Sequence, residues 1–187
     1  MSAFLCSAAI CVLLPFGLIS SAQSQELPKK IRGYKVHSEI LTLRNEPRSK
    51  GQPFVVVGQP SVMDISISGV SLAVTAELSS AGYEGRVDML SFRDFTINGL
   101  PVEVRDLNIP FNIEKTGSTV LPGPATVFLP TSKVLRAAWS EVTNSKDEWD
   151  IRGRIFVFGK FKKFGFNFKR VVPVDVQLRI KNPLSGN

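Results

Sequence analysis

The 187-residue sequence predicts an all-β protein, an antiparallel β-sandwich with one short helix before its last hairpin. Apolar and polar residues alternate with a period of two through most of the chain after Asp64, which is the pattern of half-buried strands. The pair Asn98-Gly99 separates two such runs, and Asn-Gly is a strong hairpin signal because both residues accept positive φ. Only residues 132–142 have the three-to-four-residue apolar spacing of a helix. The pattern therefore favours two sheets packed around one core.

The N-terminal segment has the composition of an export signal. It carries no charged side chain, and its apolar block, residues 8–19, is too short to span a bilayer. Ser20-Ser21-Ala22 places small residues where a signal peptidase cleaves, so we predict a signal peptide over residues 1–22 and a periplasmic or secreted mature chain. An uncleaved N-terminal membrane anchor is the alternative. Both cysteines lie in this segment, so the mature chain would have neither a disulfide nor a thiol nucleophile.

The rest of the chain divides into a lead-in and a domain. We predict that residues 23–60 form a polar, basic lead-in with edge strands, because short apolar runs at residues 40–43 and 54–57 stand among basic residues. Residues 61–187 are expected to form the β-sandwich domain. Within it, the alternation slips by one position at Gly69-Val70, which predicts a β-bulge inside one long strand.

The last part of the chain predicts two long strands. The first covers residues 149–158. From Phe164 to Ile180 the even-numbered residues are apolar except Arg170, whereas most odd-numbered residues are polar. Because successive side chains on a strand point to opposite faces, we expect the even-numbered side chains to be buried between two layers.

Positive charge and phenylalanine concentrate at the turn between these strands. The net charge of +7 arises after residue 149, where nine basic residues stand against two acidic ones, and residues 159–170 hold five of those cations and four phenylalanines. One interpretation is that the phenylalanines are core residues and that the lysines keep an exposed edge from pairing. The other is a basic loop tip with Phe161 free to insert into a membrane interface or to stack on a ligand. The candidate residues for binding an anionic surface are Arg152, Arg154, Lys160, Phe161, Lys162, Lys163, Lys169 and Arg170.

Residues with catalytic or metal-binding potential are few. His37 is the only histidine, and it stands in the basic lead-in without the serine and acid of a triad. Asp147, Glu148 and Asp150 cluster in a turn and are more typical of a solvated loop than of a metal site. No glycine-rich pattern opens a helix to hold a phosphate. We therefore predict no enzymatic activity, no cofactor and no metal, although a pair of carboxylates from distant strands is one catalytic arrangement that the sequence leaves open.

Three stretches in fixed order carry a family resemblance. They are the strand at residues 67–75, the run at residues 95–102 that contains the Asn-Gly pair, and the predicted helix followed by a long closing strand. Over residues 65–183 this layout resembles the type 2 late embryogenesis abundant proteins, also called the water stress and hypersensitive response (WHy) domain. The resemblance implies a fibronectin-III/immunoglobulin-like β-sandwich and a role in protection during desiccation or other stress. The Asn-Pro pair that the family shows after its first long strand is replaced here by Ser79-Ser80-Ala81-Gly82-Tyr83.

Two functional hypotheses follow. The first is an exported, non-enzymatic protective or scaffold protein that contacts client proteins or envelope components and acts in stress or desiccation tolerance. The second is an envelope binding module whose basic, phenylalanine-rich hairpin, residues 152–170, recognises anionic lipid or polysaccharide. Nucleic acid is not an expected partner of an exported protein. The sequence leaves the oligomeric state open.

Overall fold

The computed structural model of the protein describes residues 27–45, 54–79, 82–130, 148–163 and 166–181. The predicted signal peptide and the predicted helix lie outside these residues. Within them, the regular structure is entirely β. The strands are β1 Lys30–Ile31, β2 Tyr34–Val36, β3 Leu41–Arg44, β4 Val55–Val57, β5 Ser61–Ser66, β6 Gly69–Val74, β7 Ala76–Ser79, β8 Gly85–Ile97, β9 Leu100–Pro101, β10 Glu103–Val104, β11 Phe111–Ile113, β12 Ser118–Val120, β13 Ala125–Pro130, β14 Glu148–Lys163 and β15 Phe166–Lys181.

Two layers of sheet make up the fold. The first layer is an eight-stranded sheet with the order β1-β2-β15-β14-β8-β11, in which β3 also pairs with β15 and β9 with β8. The second layer consists of a four-stranded sheet, β10-β13-β6-β5, and a three-stranded sheet, β12-β7-β4. Buried side chains from both layers share core clusters, as Val55 does with Val174, and Leu72 with Trp149. The predicted all-β sandwich is confirmed.

Three long strands form the centre of the first layer. β14 and β15 pair antiparallel over their whole length, from Glu148 opposite Lys181 to Lys163 opposite Phe166, and β8 runs along the other side of β14. The prediction of buried even-numbered side chains is confirmed for the second half of β15. The residues concerned are Val172, Val174, Val176 and Leu178. On the opposite face Val171 and Pro173 are also buried, so burial alternates along β15 only beyond Val174.

The turn at Asn98-Gly99 is present as predicted. Both residues have positive φ, 51° and 81°, and the chain returns as β9. The side-chain oxygen of Asn98 also accepts a hydrogen bond of 2.9 Å from the amide of Asp150 on β14. The asparagine therefore shapes the turn and ties it to the neighbouring strand.

The predicted β-bulge at Gly69-Val70 is wrong. The chain turns back at Ile67-Ser68, so that Ser66 lies opposite Gly69 and the predicted long strand is a hairpin of β5 and β6. A two-residue turn and a one-residue bulge both shift the phase of an alternating pattern, and Ile-Ser lacks the glycine or asparagine that marks most such turns. The sequence therefore indicated the irregularity but not its type.

Strands from the lead-in extend the first layer. β2 and β3 pair in parallel with β15, while β1 and β2 form a small hairpin. Tyr34 of this hairpin packs edge-on against Phe158 of β14, with ring centroids 5.2 Å apart. By strand alternation, Phe158 points away from the second layer. It is nevertheless buried, because the β1–β2 hairpin covers it.

Gly153 on β14 is expected to be required at its position. A β-carbon built there would lie 2.5 Å from a ring carbon of Phe95, which covers the glycine. We expect Gly153→Ala to lower the free energy of unfolding by about 1–3 kcal/mol, because the ring has to leave a packed site. Urea unfolding followed by circular dichroism measures the loss. With Phe95→Leu added, the loss should be smaller than the sum of the two single effects, and simple additivity would contradict the packing explanation.

Candidate functional site

The distal end of the β14–β15 hairpin carries the basic, aromatic stretch noted in the sequence. We define the hairpin tip as residues 159–163 of β14 and residues 166–170 of β15. In the register of the two strands, Lys160 lies opposite Lys169, and Phe161 lies opposite Phe168. Strand alternation places the lysine pair on the outer face of the sheet and the phenylalanine pair on the inner face, which continues into the core.

Two phenylalanines of the hairpin tip are exposed. Phe166 is 70% exposed and Phe168 is 39% exposed, although both lie on the face of β15 that is buried further along the strand. Their interpretation as core residues is wrong, because alternation predicts the face that a side chain occupies but not how far the opposing layer extends. Phe161 is half-buried and packs against the core cluster that contains Val174, so it is not the free ring that the sequence suggested. It anchors the tip to the core.

Three cations of the hairpin tip have no carboxylate partner among the described residues. They are Lys160, Lys169 and Arg170. Lys169 Nζ lies 4.2 Å from the centre of the Tyr34 ring, and the guanidinium carbon of Arg170 lies 5.8 Å from the centre of the Phe168 ring. Cation–π contacts of this kind position a side chain without neutralising its charge. The tip therefore presents positive charge beside exposed aromatic rings.

Lys162 is an ion-paired cation of the hairpin tip. Its Nζ lies 2.5 Å from Glu84 Oε1, and its amide donates a hydrogen bond of 2.8 Å to the Glu84 carbonyl. This pair ties the tip to the chain just before β8 and offsets one positive charge. The side chain of Lys163, the remaining candidate on β14, lies outside the described part of the chain.

Arg152 and Arg154 do not belong to the hairpin tip. Arg152 is paired with Asp150 at 2.8 Å, and Arg154 Nε donates to Asp175 Oδ1 at 2.6 Å. The hydrogen bond to Asp175 raises the pKa of the Arg154 guanidinium, while burial lowers it by less. Arg154 precedes Lys160 by roughly 20 Å along the strand. The candidate set therefore divides into an ion-paired pair of arginines and a separate tip.

Residues of the lead-in join this site, and the sequence analysis missed them. Lys35 of β2 lies opposite Arg170, and Lys30 of β1 lies opposite Lys35, so basic residues continue across three strands. Burial, together with a hydrogen bond of 3.0 Å from its hydroxyl to Asp88, raises the pKa of Tyr34. Pairing between strands from opposite ends of the chain leaves no local sequence signal, so alternation alone could not have placed these residues at the tip.

A cavity of about 210 Å³ lies between the two layers. Its lining is almost wholly apolar and comes from both layers; examples are Leu72, Leu90, Val157 and Val174, together with Phe161 of the tip. Protein interiors are normally close-packed, so this space is an unusual feature of the core.

Functional groups of other kinds are sparse in the described residues. No group of three or more histidine, cysteine or carboxylate side chains there could hold a metal ion. His37 Nε2 lies 3.9 Å from Glu39 Oε2 and is not part of the cavity lining. In the portion of the chain that the structure covers, no helix is long and apolar enough to cross a membrane. The site therefore offers cations, aromatic rings and an apolar interior.

Comparison with known proteins gives a likeness of fold only. No family model matches the sequence, and no curated protein matches it. A crystal structure of a protein from Archaeoglobus fulgidus is 16% identical, with 68% of this chain and 95% of that chain covered and a TM-score of 0.34. The solution structure of “a putative late embryogenesis abundant (LEA) protein” is 14% identical, with 70% and 71% covered and a TM-score of 0.32. The second is a distant fold-level resemblance to the family that the sequence layout indicated.

Proposed function

We propose that this protein is an exported, non-enzymatic binding protein that attaches to anionic lipid surfaces through its hairpin tip. The observation that carries the proposal is the exposure of Phe166 and Phe168 beside cations without a carboxylate partner among the described residues. A lipid interface suits this combination, because aromatic rings enter its apolar layer while cations remain among the anionic head groups.

Lipid fits the hairpin tip better than polysaccharide does. A polysaccharide would pair with the cations but offers little apolar environment to Phe166, which is 70% exposed in the free protein. Full burial of a phenylalanine contributes about 1.5–3 kcal/mol. A lysine or arginine near an anionic membrane contributes about 1 kcal/mol. Because the two contributions are of similar size, the proposed contact depends on both the rings and the charges.

Replacing Lys160 and Lys169 by glutamine is expected to lower the affinity for anionic vesicles about 30-fold, because two cations contribute about 2 kcal/mol. Co-sedimentation with vesicles of phosphatidylglycerol and phosphatidylcholine measures this affinity. Phosphatidylcholine vesicles should bind the wild-type protein only weakly. Affinity for the anionic vesicles should also fall as salt is added, since salt screens exposed charges.

A control for this variant is Arg152→Gln combined with Lys181→Gln. It removes the same charge from the same two strands, at positions away from the tip. We expect its vesicle affinity to stay within about threefold of the wild-type value, because distant exposed charges are screened. An equal loss in both double variants would mean that net charge alone attracts the protein, and the proposed site would then be wrong.

The protective role that the family resemblance implies makes a different prediction. Shielding of client proteins by weak contacts over the whole sandwich does not require the hairpin tip. The informative variant carries Lys160→Glu, Lys162→Glu and Lys163→Glu. If it protects a client enzyme during drying as well as the wild type does and still sediments with anionic vesicles, the protective role is favoured and the lipid proposal fails.

A further inference from the structure

The cavity between the two layers extends along much of the sandwich. On β14 its lining reaches from Trp149 to Phe161, and on β15 it reaches from Val172 to Ile180. At about 3.3 Å per residue, this part of β14 covers roughly 40 Å. Half the hydrocarbon thickness of a bilayer, the depth that one lipid chain fills, is about 15 Å. The lined interior is therefore longer than one extended acyl chain.

The chemistry of the lining favours an apolar occupant over water. A buried water makes about three hydrogen bonds to polar groups. Among the described residues of the lining, the hydroxyl side chains are those of Ser79 and Tyr83, and the other side chains are aliphatic or aromatic. An apolar cavity of about 150 Å³ is known to stay dry and to bind benzene. The cavity here is larger, at about 210 Å³, so an apolar molecule would gain contacts in it.

The hairpin tip lies at one end of this interior. Phe161 lines the cavity and is paired with Phe168 of the tip. Along the inner face of β15, Phe168 is exposed, Arg170 is half-buried, and Val172 lines the cavity. An apolar face thus continues from solvent into the interior, with one cation at the boundary.

We propose that the cavity binds a single acyl chain of a lipid with an anionic head group, and that Arg170 contacts the head group. Arg170 has no carboxylate partner among the described residues, and a guanidinium matches the geometry of a carboxylate or a phosphate. The ligand chemistry is a long hydrocarbon chain that ends in an anion, which both a fatty acid and a phospholipid supply. This site shares Arg170 with the hairpin tip, but it does not require membrane attachment.

Displacement of cis-parinaric acid, a fatty acid that fluoresces in apolar surroundings, measures binding to the full chain in solution. Saturated fatty acids should compete about fourfold better for each added methylene until the cavity is filled. Lysophosphatidylglycerol of matched chain length tests whether the ligand is a phospholipid. If it competes more strongly than the fatty acid, the ligand is a phospholipid. If it competes more weakly, the ligand is a free fatty acid. Equal competition by short and long chains, or no binding of the probe, would overturn the proposal.

Filling the cavity tests its position. Ala125 on β13 lines the cavity, whereas Ala73 on the adjoining strand β6 does not. We expect Ala125→Phe to weaken cis-parinaric acid binding more than about tenfold, and the control Ala73→Phe to leave it unchanged. Ala76→Leu is a milder second variant, which should weaken binding and raise the thermal midpoint of the ligand-free protein. A lowered midpoint would mean that side chains of the protein already fill this space, and the proposal would be overturned.

Two variants separate this inference from attachment through the tip. Arg170→Gln should weaken the binding of a fatty acid but not of the fatty alcohol of equal length, which carries no charge. The variant Lys160→Gln, Lys169→Gln should lose vesicle affinity and keep cis-parinaric acid binding. Equal effects of Arg170→Gln on acid and alcohol would remove the head-group contact from the proposal. If the lysine variant binds vesicles as tightly as the wild type does, the proposed membrane attachment is wrong, and the cavity proposal is unaffected.

Discussion

Replacing both Phe166 and Phe168 by serine is expected to lower the affinity for anionic vesicles about 100-fold, because two rings at about 1.5 kcal/mol each contribute about 3 kcal/mol on entering lipid. Phe166 is 70% exposed, so its removal takes away little packing, whereas Phe168 is 39% exposed and also contacts Arg170. The single variant Phe166→Ser should therefore keep the thermal midpoint of the wild type, measured by circular dichroism, and the double variant should lower it slightly. Co-sedimentation with phosphatidylglycerol-containing vesicles measures the affinity.

A matched pair of exposed apolar residues provides the control. Ile65 and Val120 are 74% and 65% exposed, and they lie on β5 and β12 of the second layer. The variant Ile65→Ser, Val120→Ser removes two exposed apolar side chains away from the tip. We expect it to bind the vesicles as the wild type does. If it loses as much affinity as the phenylalanine variant, exposed apolar surface in general causes the binding, and the tip has no special role.

Phe158→Ala is expected to lower the free energy of unfolding by about 3–5 kcal/mol. The ring is only 1% exposed, it packs edge-on against Tyr34, and it lies 5.8 Å from the guanidinium carbon of Arg32. Its loss removes the contact through which the β1–β2 hairpin covers the outer face of β14. For a chain of this length, the thermal midpoint should fall by about 10 °C, measured by circular dichroism.

Phe156 offers the comparison for this variant. It lies two residues earlier on the same outer face and is half-buried, opposite Pro173. Phe156→Ala should cost less than Phe158→Ala, since less apolar surface returns to water. A loss at Phe158 that is no larger than the loss at Phe156 would contradict its assignment as the residue that holds the β1–β2 hairpin to the sheet.

Local patterns in the sequence predict the parts of this fold that depend on neighbours along the chain. The period of two on β15 correctly predicts the buried even-numbered side chains from Val172 to Leu178, although Val171 and Pro173 on the opposite face are buried as well, and Asn98-Gly99 correctly marks a turn. The pattern predicts a bulge at Gly69-Val70 where the chain turns at Ile67-Ser68, because both irregularities shift the alternation by one position. The exposure of Phe166 depends on where the second layer ends, which no pattern within β15 encodes.

The ion pairing of the candidate site also depends on contacts between residues that are distant in sequence. The sequence identifies a basic C-terminal part, but Arg152, Arg154 and Lys162 are each paired with a carboxylate in the structure. Two of these carboxylates are distant in sequence from the cations they meet. The parallel pairing that brings Lys35 beside Arg170 joins the two ends of the described chain. The cavity likewise depends on the spacing between layers, and therefore on packing across the whole sandwich.

Fluorescence of a tryptophan placed at the hairpin tip tests membrane attachment most directly. In Phe166→Trp, compared with the wild type, we predict a blue shift on adding phosphatidylglycerol-containing vesicles, and quenching when their acyl chains carry bromine. Ile65→Trp, which starts from a similar exposure of 74%, should show neither change. Unchanged emission from the tip tryptophan while the protein sediments with the same vesicles would contradict insertion of the hairpin tip into lipid.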